Sequence, residues 1–186
     1  MTSLQRLTRA IDALSRWCGA LASAACLAMV LIGAFNALAR YLARDLGFDL
    51  SSNSWIEAQW YLFSIVFLAG ASATLLEDRH VRVDVLYGRL GPRGRAWIDL
   101  GGGLFLLLPF CAFSAYGTFL YARRSFDQLE QSSDPGGLAR WPIKLLLFAS
   151  FCLLFLQGVS FVLRQVEILR REPDATPPSL GEGSPS

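Results

Sequence analysis

EDRHVRVDVLYGRLGPRGRA, residues 77–96, is the most basic connection in a chain that otherwise consists mostly of long apolar runs. It contains five arginines and three acidic residues. Basic connections beside apolar spans are retained on the cytoplasmic side of a membrane. We therefore expect this stretch to join two helical hairpins and to fix their orientation.

The apolar runs on either side of it predict four membrane spans. Asp, Glu, Lys, Arg and His are absent from residues 17–39, 59–76, 100–122 and 145–163. A helix of about 20 residues crosses a hydrocarbon core of ~30 Å, and soluble helices carry a polar stripe that these runs lack. The sequence predicts an all-α integral membrane domain over residues 17–165, with spans at about 17–39, 57–76, 97–122 and 142–165. A soluble helical bundle is the alternative.

The two ends of the chain differ from this domain. In residues 1–16, apolar residues recur at helical spacing among three arginines, which predicts an amphipathic lead on the cytoplasmic membrane surface. An ordinary solvated N-terminus is the alternative. A signal peptide is disfavoured because the apolar run continues to Ala39, too far for an h-region. Residues 166–186 are rich in Pro, Ser, Gly and Glu, and we expect a disordered cytoplasmic tail.

The distribution of basic residues predicts the orientation. Of the 17 Lys and Arg residues, 11 fall on the side that holds both termini and residues 77–96, and 6 fall on the other side. By the positive-inside rule both termini are cytoplasmic.

Four apolar residues in the basic connection fall at i, i+3, i+4 and i+7 of a helix: Val83, Leu86, Tyr87 and Leu90. This spacing predicts a short amphipathic helix in the membrane interface between spans two and three. Asp84 would cap this helix, and Gly91-Pro92 would end it. The alternation of Val81, Val83 and Val85 leaves a short extended segment as the alternative.

Arg40-Tyr41 ends the first span, and Trp55 and Glu57 begin the second. Ser54 and Glu57 have the S-x-x-E spacing of a capping box, which would make Ser54 the N-cap of the second helix. Alternatively, Glu57 forms an ion pair with Arg40, since both lie at the same ends of adjacent antiparallel helices. Both could hold together, and an ion-binding carboxylate is the third interpretation.

Small residues in the spans predict close helix packing. Gly70 belongs to a run of small residues in span two, and Gly102 lies in a Gly-Gly-Gly triple that would allow a partner helix to approach closely. Pro109 predicts a kink in span three. Trp141, followed by a proline suited to a first helical turn, opens span four.

Few polar residues lie inside the spans. Asn36 shares a helix face with Arg40, one turn away. Gln157 lies in span four, where a buried amide is expected to bond to a neighbouring helix. Lys144 is near the start of the same span and is expected to extend its ammonium outward to the interface.

Several classes of function lack the residues they need. The four cysteines lie in spans without a C-x-x-C pair, which favours free thiols over disulfides or zinc. His80 is the only histidine, so a bis-histidine haem is excluded. No phosphate-binding loop or nucleophile–base pair is present, and no basic aromatic surface suggests nucleic acid as a partner. We expect no enzymatic activity and no cofactor. Autonomous ion-coupled transport is disfavoured, because every mid-membrane position is uncharged.

Several short motifs in this order resemble one family over about residues 20–165. They are Arg40-Tyr41, Trp55-x-Glu57, the run VFLAGA at 66–71, RHVRVD at 79–84, and the segment 130–144 with its Arg-Trp-Pro-Ile-Lys. Together they resemble the small membrane (Q-type) subunit of tripartite ATP-independent periplasmic (TRAP) transporters.

The resemblance implies a non-catalytic partner of a large multi-span permease subunit in the bacterial inner membrane. The large subunit would hold the sodium and substrate sites, and a periplasmic substrate-binding protein would deliver the solute, often an organic acid. The small subunit would enlarge the scaffold against which an elevator-like domain moves. Many members carry a second acidic residue beside the one matching Glu57; here Ala58 stands there, so no carboxylate pair is expected.

The residues that we single out as structural or partner-interface candidates are Arg40, Tyr41, Trp55, Glu57, Gly70, Asp84, Leu86, Tyr87, Leu90, Gly102, Trp141 and Gln157. Two other functions are alternatives. A small homo-oligomeric four-helix exporter would need an acidic residue in the middle of span one, whereas Glu57 begins span two. A membrane assembly factor without transport would differ only in its partner.

Overall fold

A computed structural model of the chain describes residues 3–46, 52–77 and 90–170. All regular structure in these residues is helical. The elements in chain order are α1 (Ser3–Leu46), α2 (Asn53–Leu76), α3 (Pro92–Gly102), a π-helical turn (Gly103–Leu107), α4 (Leu108–Asp127) and α5 (Trp141–Arg170).

Four helical stretches among the described residues are long and apolar enough to cross a membrane, which confirms the four predicted spans. They are Arg6–Leu42, Asn53–Leu76, Arg93–Asp127 and Trp141–Arg170. The third combines α3, the π-helical turn and α4.

The helices pack as two hairpins. α1 packs along α2, the third span packs along α5, and the hairpins meet chiefly through α2 and α5. The first part of α1 also contacts α5. We call the end of the bundle that holds residues 128–140 the loop end, and the end near Asp12 and Arg164 the terminal end.

The N-terminal lead and the first span form one helix. α1 runs without a break for 44 residues, or about 66 Å at 1.5 Å per residue, so no boundary separates lead and span at residue 17. Ile11 and Ser15 are buried in the bundle. The polar groups near this end find partners on α5, which draws the lead into the helix packing.

The capping box predicted at the start of α2 is wrong. Ser52 is the N-cap, and its hydroxyl accepts a hydrogen bond from the Ser54 N–H at 3.2 Å. Ser54 lies inside the helix, and its own hydroxyl donates to the Gly136 carbonyl. The helix begins before Ser54, and both oxygens of Glu57 bind the loop instead of the Ser54 N–H, so neither half of the capping box forms.

The irregularity expected at Pro109 is a π-helical turn just before it. Proline has no N–H to donate to the preceding turn, and a π-helical turn accommodates such a break in the hydrogen-bond ladder. The same turn begins at Gly103, where a Cβ would lie 2.9 Å from Val162 Cγ2 on α5. The close approach expected from the triple glycine is thus made at Gly103, while a Cβ on Gly102 would meet nothing within 4 Å.

The loop between α4 and α5 is closed by its own backbone hydrogen bonds. α4 ends in a Schellman motif, in which Glu130 N–H donates to Ser125 O at 3.1 Å and Leu129 N–H donates to Phe126 O at 3.0 Å. Leu129 takes the left-handed φ of 46° that usually favours glycine at this position. Arg140 N–H then donates to Glu130 O at 2.8 Å, which joins the two ends of the loop.

The predicted interfacial helix lies outside the described residues, and so do Asp84, Leu86 and Tyr87. Leu90 is described, just before α3; its carbonyl accepts a hydrogen bond from Arg95 Nε at 3.0 Å. Gly91 is the N-cap of α3, with Pro92 as the first helical residue. Residues 171–186 of the predicted tail also lie outside the described part.

Candidate functional site

Glu57 ties the loop between α4 and α5 to the start of α2. Its side chain is only 2% exposed. Oε1 accepts a hydrogen bond from the Ser132 hydroxyl, and Oε2 accepts one from the Leu138 N–H. A Cβ on Gly137 would lie 2.8 Å from Glu57 Oε1, so the loop needs a glycine to come this close.

The predicted ion pair between Glu57 and Arg40 is wrong. Both carboxylate oxygens are occupied by the loop, and in residues 3–46, 52–77 and 90–170 no salt bridge joins Glu57 to Arg40. The sequence could not reveal this choice, because the partners of Glu57 lie 75 and 81 residues further along the chain.

Two further residues on the same face of α2 bond to the loop backbone. The Tyr61 hydroxyl donates to the Ala139 carbonyl at 2.5 Å, and the Ser54 hydroxyl donates to the Gly136 carbonyl. Ser54, Glu57 and Tyr61 stand at i, i+3 and i+7, which places them on one side of the helix. The loop is therefore held by one side of α2 over two helical turns.

Lys144 is paired inside the bundle, and the prediction that it extends outward is wrong. Its ammonium binds Glu130 and lies 4.0 Å from the centre of the Tyr121 ring, and the side chain is only 12% exposed. The Ser125 hydroxyl donates to the same Glu130 carboxylate at 2.7 Å. The hydrogen bonds from Lys144 and then from Ser125 hold the pKa of Glu130 below its usual value.

Arg140 completes the charges at the loop end. Its Nη2 donates to the Ser133 hydroxyl at 3.2 Å, while Nε is buried without a partner. Within this group Glu130 and Lys144 form an ion pair, while Glu57 is held by hydrogen bonds from the loop. Buried charges are tolerated in a membrane protein when they are paired in this way. We call these four residues and the hydroxyls bound to them the loop-end cluster.

A second polar network joins α1 to α5 at the terminal end. Gln157, which is only 1% exposed, accepts a hydrogen bond from Ser15 Oγ at 2.7 Å and donates one to Asp12 Oδ1 at 3.3 Å. Ser160 Oγ donates to Asp12 Oδ1 at 3.2 Å, and Arg164 forms an ion pair with Asp12. Gln157 therefore bonds to a neighbouring helix, as expected from the sequence.

Asp12 and Ser15 of this network are not among the residues singled out from the sequence. The available signal was that Asp12 is the first acidic residue of the chain, among three arginines, one helical turn before the charge-free run. Arg164 follows the charge-free run of span four, so an antiparallel path brings it to the same depth as Asp12. The equal depth of an acidic and a basic residue on two helices was the available signal for this ion pair.

The other predicted residues divide between the interior and the surface. Trp55 packs edge-on against Phe35 at 5.4 Å between ring centres, and Trp141 packs against Phe126 at 5.5 Å. A Cβ on Gly70 would lie 3.8 Å from Ala22 Cβ of α1. The candidates that the structure leaves on the outer surface are Arg40 and Tyr41, while Gly102 has open space on its Cβ side.

The chemistry available at these clusters is packing and charge pairing. Among the described residues no group of three or more His, Cys, Asp or Glu side chains could hold a metal ion. The four cysteines are free thiols. Large apolar side chains cover much of the outer surface, among them Leu27, Leu31, Phe105, Leu106 and Phe113.

One protein-family model matches the chain. It is described as Tripartite ATP-independent periplasmic transporters, DctQ component, and it covers residues 29–168, or 140 of the 186 residues. No curated protein and no solved structure matches. The matched region contains the loop-end cluster and Gln157 but not Asp12 or Ser15. From this match, together with four membrane-length helices, it follows that the chain belongs to the DctQ family, the small membrane component of TRAP transporters.

Proposed function

We propose that this chain is the static scaffold subunit of a TRAP-type secondary transporter in the bacterial inner membrane. It would hold a large multi-span permease subunit during ion-coupled uptake of a solute that a periplasmic binding protein delivers. That solute would be an organic acid. The observation that carries the proposal is that buried polar contacts tie the two hairpins together at both ends of the bundle.

These contacts favour a rigid block over a moving part. At the loop end, Glu57 of α2 binds the loop that leads into α5, and at the terminal end Asp12 of α1 binds α5 directly. Any sliding of one hairpin against the other would break these bonds, and Glu57 and Gln157 are so buried that their lost partners would not be replaced readily by water. A subunit whose hairpins are held together in this way can serve as a fixed support.

The placement of charge agrees with a supporting role. In the described spans the charged side chains lie near the two ends, and the middle of each span is uncharged. Ion-coupling sites in transporters usually contain ionisable or unwound elements at mid-membrane depth. In this proposal the chain performs no catalysis and binds no cofactor, and the sodium and substrate sites belong to the large subunit.

The basic residues support an orientation with both termini in the cytoplasm. The loop end then faces the periplasm, where the binding protein arrives. The rigid loop over residues 128–140 would present a fixed surface on that side.

Co-expression with the large permease subunit encoded in the same bacterium tests the proposal. We expect the two chains to purify together from detergent. Proteoliposomes that contain both chains should take up solute when the binding protein is supplied, and those lacking this chain should not. Equal uptake without this chain, or transport by this chain alone, would contradict the proposal.

A further inference from the structure

A groove runs between α1 and α2 near the loop end. It has a volume of about 640 Å³ and opens onto the outer surface of the first hairpin. Residues from α1 and from α2 line it, among them Gly33, Asn36, Ala37, Arg40 and Gln59. The groove lies on the side of α2 that faces α1, away from the loop-end cluster.

Three polar groups in this groove have no partner in the described parts of the chain. Asn36 is only 7% exposed, and its Oδ1 atom is buried without a hydrogen-bond donor. Arg40 lies one helical turn further along α1, and neither it nor the Gln59 amide takes part in any ion pair or hydrogen bond within residues 3–46, 52–77 and 90–170. A buried acceptor without a donor is costly, because it has lost its contact with water and gained nothing in return.

We propose that this groove seats a transmembrane helix of the large permease subunit. That helix would present a carboxylate to Arg40 and, one turn deeper, a hydroxyl or amide donor to Asn36 Oδ1. The inference rests on the proposed function, which supplies the partner, and it adds which surface the partner binds and with what chemistry.

The shape of the groove suits a helix. Ala37 is small and exposed, and a small residue lets another helix backbone come close in a membrane. Gly33 also leaves room for Gln59, whose Nε2 lies 3.1 Å from where a Cβ would stand. Val30 and Tyr41, both largely exposed, share this side of α1 and would widen the contact.

A lipid fits the groove less well. A phospholipid phosphate could pair with Arg40 near the interface. Asn36 stands four residues away along α1, or about 6 Å deeper, at a depth where acyl chains offer no hydrogen-bond donor. A donor at that depth must come from protein.

A second copy of this chain also fits less well. A two-fold contact places the same surface of each copy against the other. The two Arg40 guanidinium groups would then face each other, and like charges repel most strongly away from water.

Photo-cross-linking in the assembled complex tests the position of the partner. A benzophenone amino acid is placed at Ala37, which lines the groove, and at Phe113, which is 78% exposed on α4 and serves as the matched control. We expect the yield of cross-links to the large subunit to be several times higher from Ala37 than from Phe113. Equal or lower yields from Ala37, or cross-links from Ala37 only to lipid or to a second copy, would overturn the proposal.

The amount of large subunit that each variant retains during purification tests the role of the Arg40 charge. We expect Arg40→Ala to weaken retention about fivefold, within the range of interhelical polar contacts, and Arg40→Lys to weaken it less. Arg123→Ala is the control, because Arg123 is an exposed arginine at the same end with only a 4.0 Å contact to Asp127. Equal retention by Arg40→Ala and Arg123→Ala would overturn the groove proposal while leaving the scaffold function intact. Failure of the unmodified chain to retain the large subunit would overturn both.

Discussion

At the loop end, the polar groups on the two sides of α2 differ in whether they have partners within the chain. On the side toward α5, Glu57 is buried and hydrogen-bonded to the loop, and Lys144 is paired with the partly exposed Glu130. On the side toward α1, Asn36 and Arg40 lack a partner in the described residues. The first set has its partners within the chain and so specifies the fold. The second set, we infer, is completed only in the assembled transporter.

The terminal end agrees with the first pattern. Asp12, Ser15, Gln157, Ser160 and Arg164 satisfy one another across α1 and α5. Polar contacts between helices that are complete within one chain need no second subunit. In the α1–α2 groove such a contact is left open at Asn36 Oδ1, and in the loop-end cluster one is left open at Arg140 Nε.

The largest expected effect comes from Glu57→Leu. The substitution leaves the Leu138 N–H and the Ser132 hydroxyl without their acceptor, and a buried unsatisfied donor is costly. We expect the thermal unfolding midpoint of the isolated chain to fall by roughly 5–10 °C. Glu167→Leu is the control, since Glu167 is an exposed carboxylate on α5. Equal midpoints for the two variants would show that the loop does not depend on Glu57.

Asp12→Leu should have a smaller effect at the terminal end. Arg164 can turn toward water when its partner is lost, but Gln157 and Ser160 lose an acceptor in the interior. We expect the unfolding midpoint to fall by roughly 3–6 °C. The matched variant is Asp127→Leu, which removes only an exposed contact with Arg123. If Asp127→Leu is as destabilising as Asp12→Leu, the terminal network contributes nothing specific.

The pairing of Glu130 predicts a dependence on pH. Its folded-state pKa lies below the usual value, so its carboxylate favours the folded state fully above the unfolded pKa of about 4.3. This contribution is lost as the pH falls through the lower folded pKa. Unfolding midpoints measured from pH 7 to pH 3 should show wild type above Glu130→Gln at neutral pH, with the gap closing below about pH 4. A constant gap would contradict the pairing with Lys144.

The smallest expected effect is a gain in stability from Leu129→Gly. Leu129 has a left-handed backbone at the end of α4, which costs a side chain with a Cβ about 1–2 kcal/mol. Glycine removes that cost but adds freedom to the unfolded chain, so we expect the midpoint to rise by roughly 1–2 °C. Gly136→Ala, at a φ of 72°, is the opposite test and should lower it. A fall with Leu129→Gly would show that the leucine side chain makes a needed contact.

The sequence could predict the spans because each of them lacks charged residues over about the length that a helix needs to cross a membrane. It could not predict the partners of Glu57, since local spacing to Ser54 and proximity to Arg40 were both plausible. The carboxylate instead binds a loop some 80 residues away, where a backbone hydrogen bond from Ser132 N–H to Leu138 O at 3.2 Å brings its two donors together. Tertiary contacts of this kind leave no periodic signal.

Two further contacts in the structure also join segments that are far apart in the sequence. The placement of the lead on the cytoplasmic membrane surface stays a prediction. The structure adds that Asp12, within this lead, bonds to Gln157 and Arg164 on α5. The small-residue pattern did predict close packing in span three, but only the structure assigns the contact to Gly103.

The most direct test of the difference between the two sides of α2 is the thermal unfolding midpoint of isolated Asn36→Leu, measured beside wild type and Glu57→Leu in the same nanodiscs. Leucine is close to asparagine in shape and removes an acceptor that has no donor within the described chain. The account predicts that Asn36→Leu is as stable as wild type or slightly more stable, while Glu57→Leu is clearly less stable. A fall for Asn36→Leu as large as that for Glu57→Leu would contradict it.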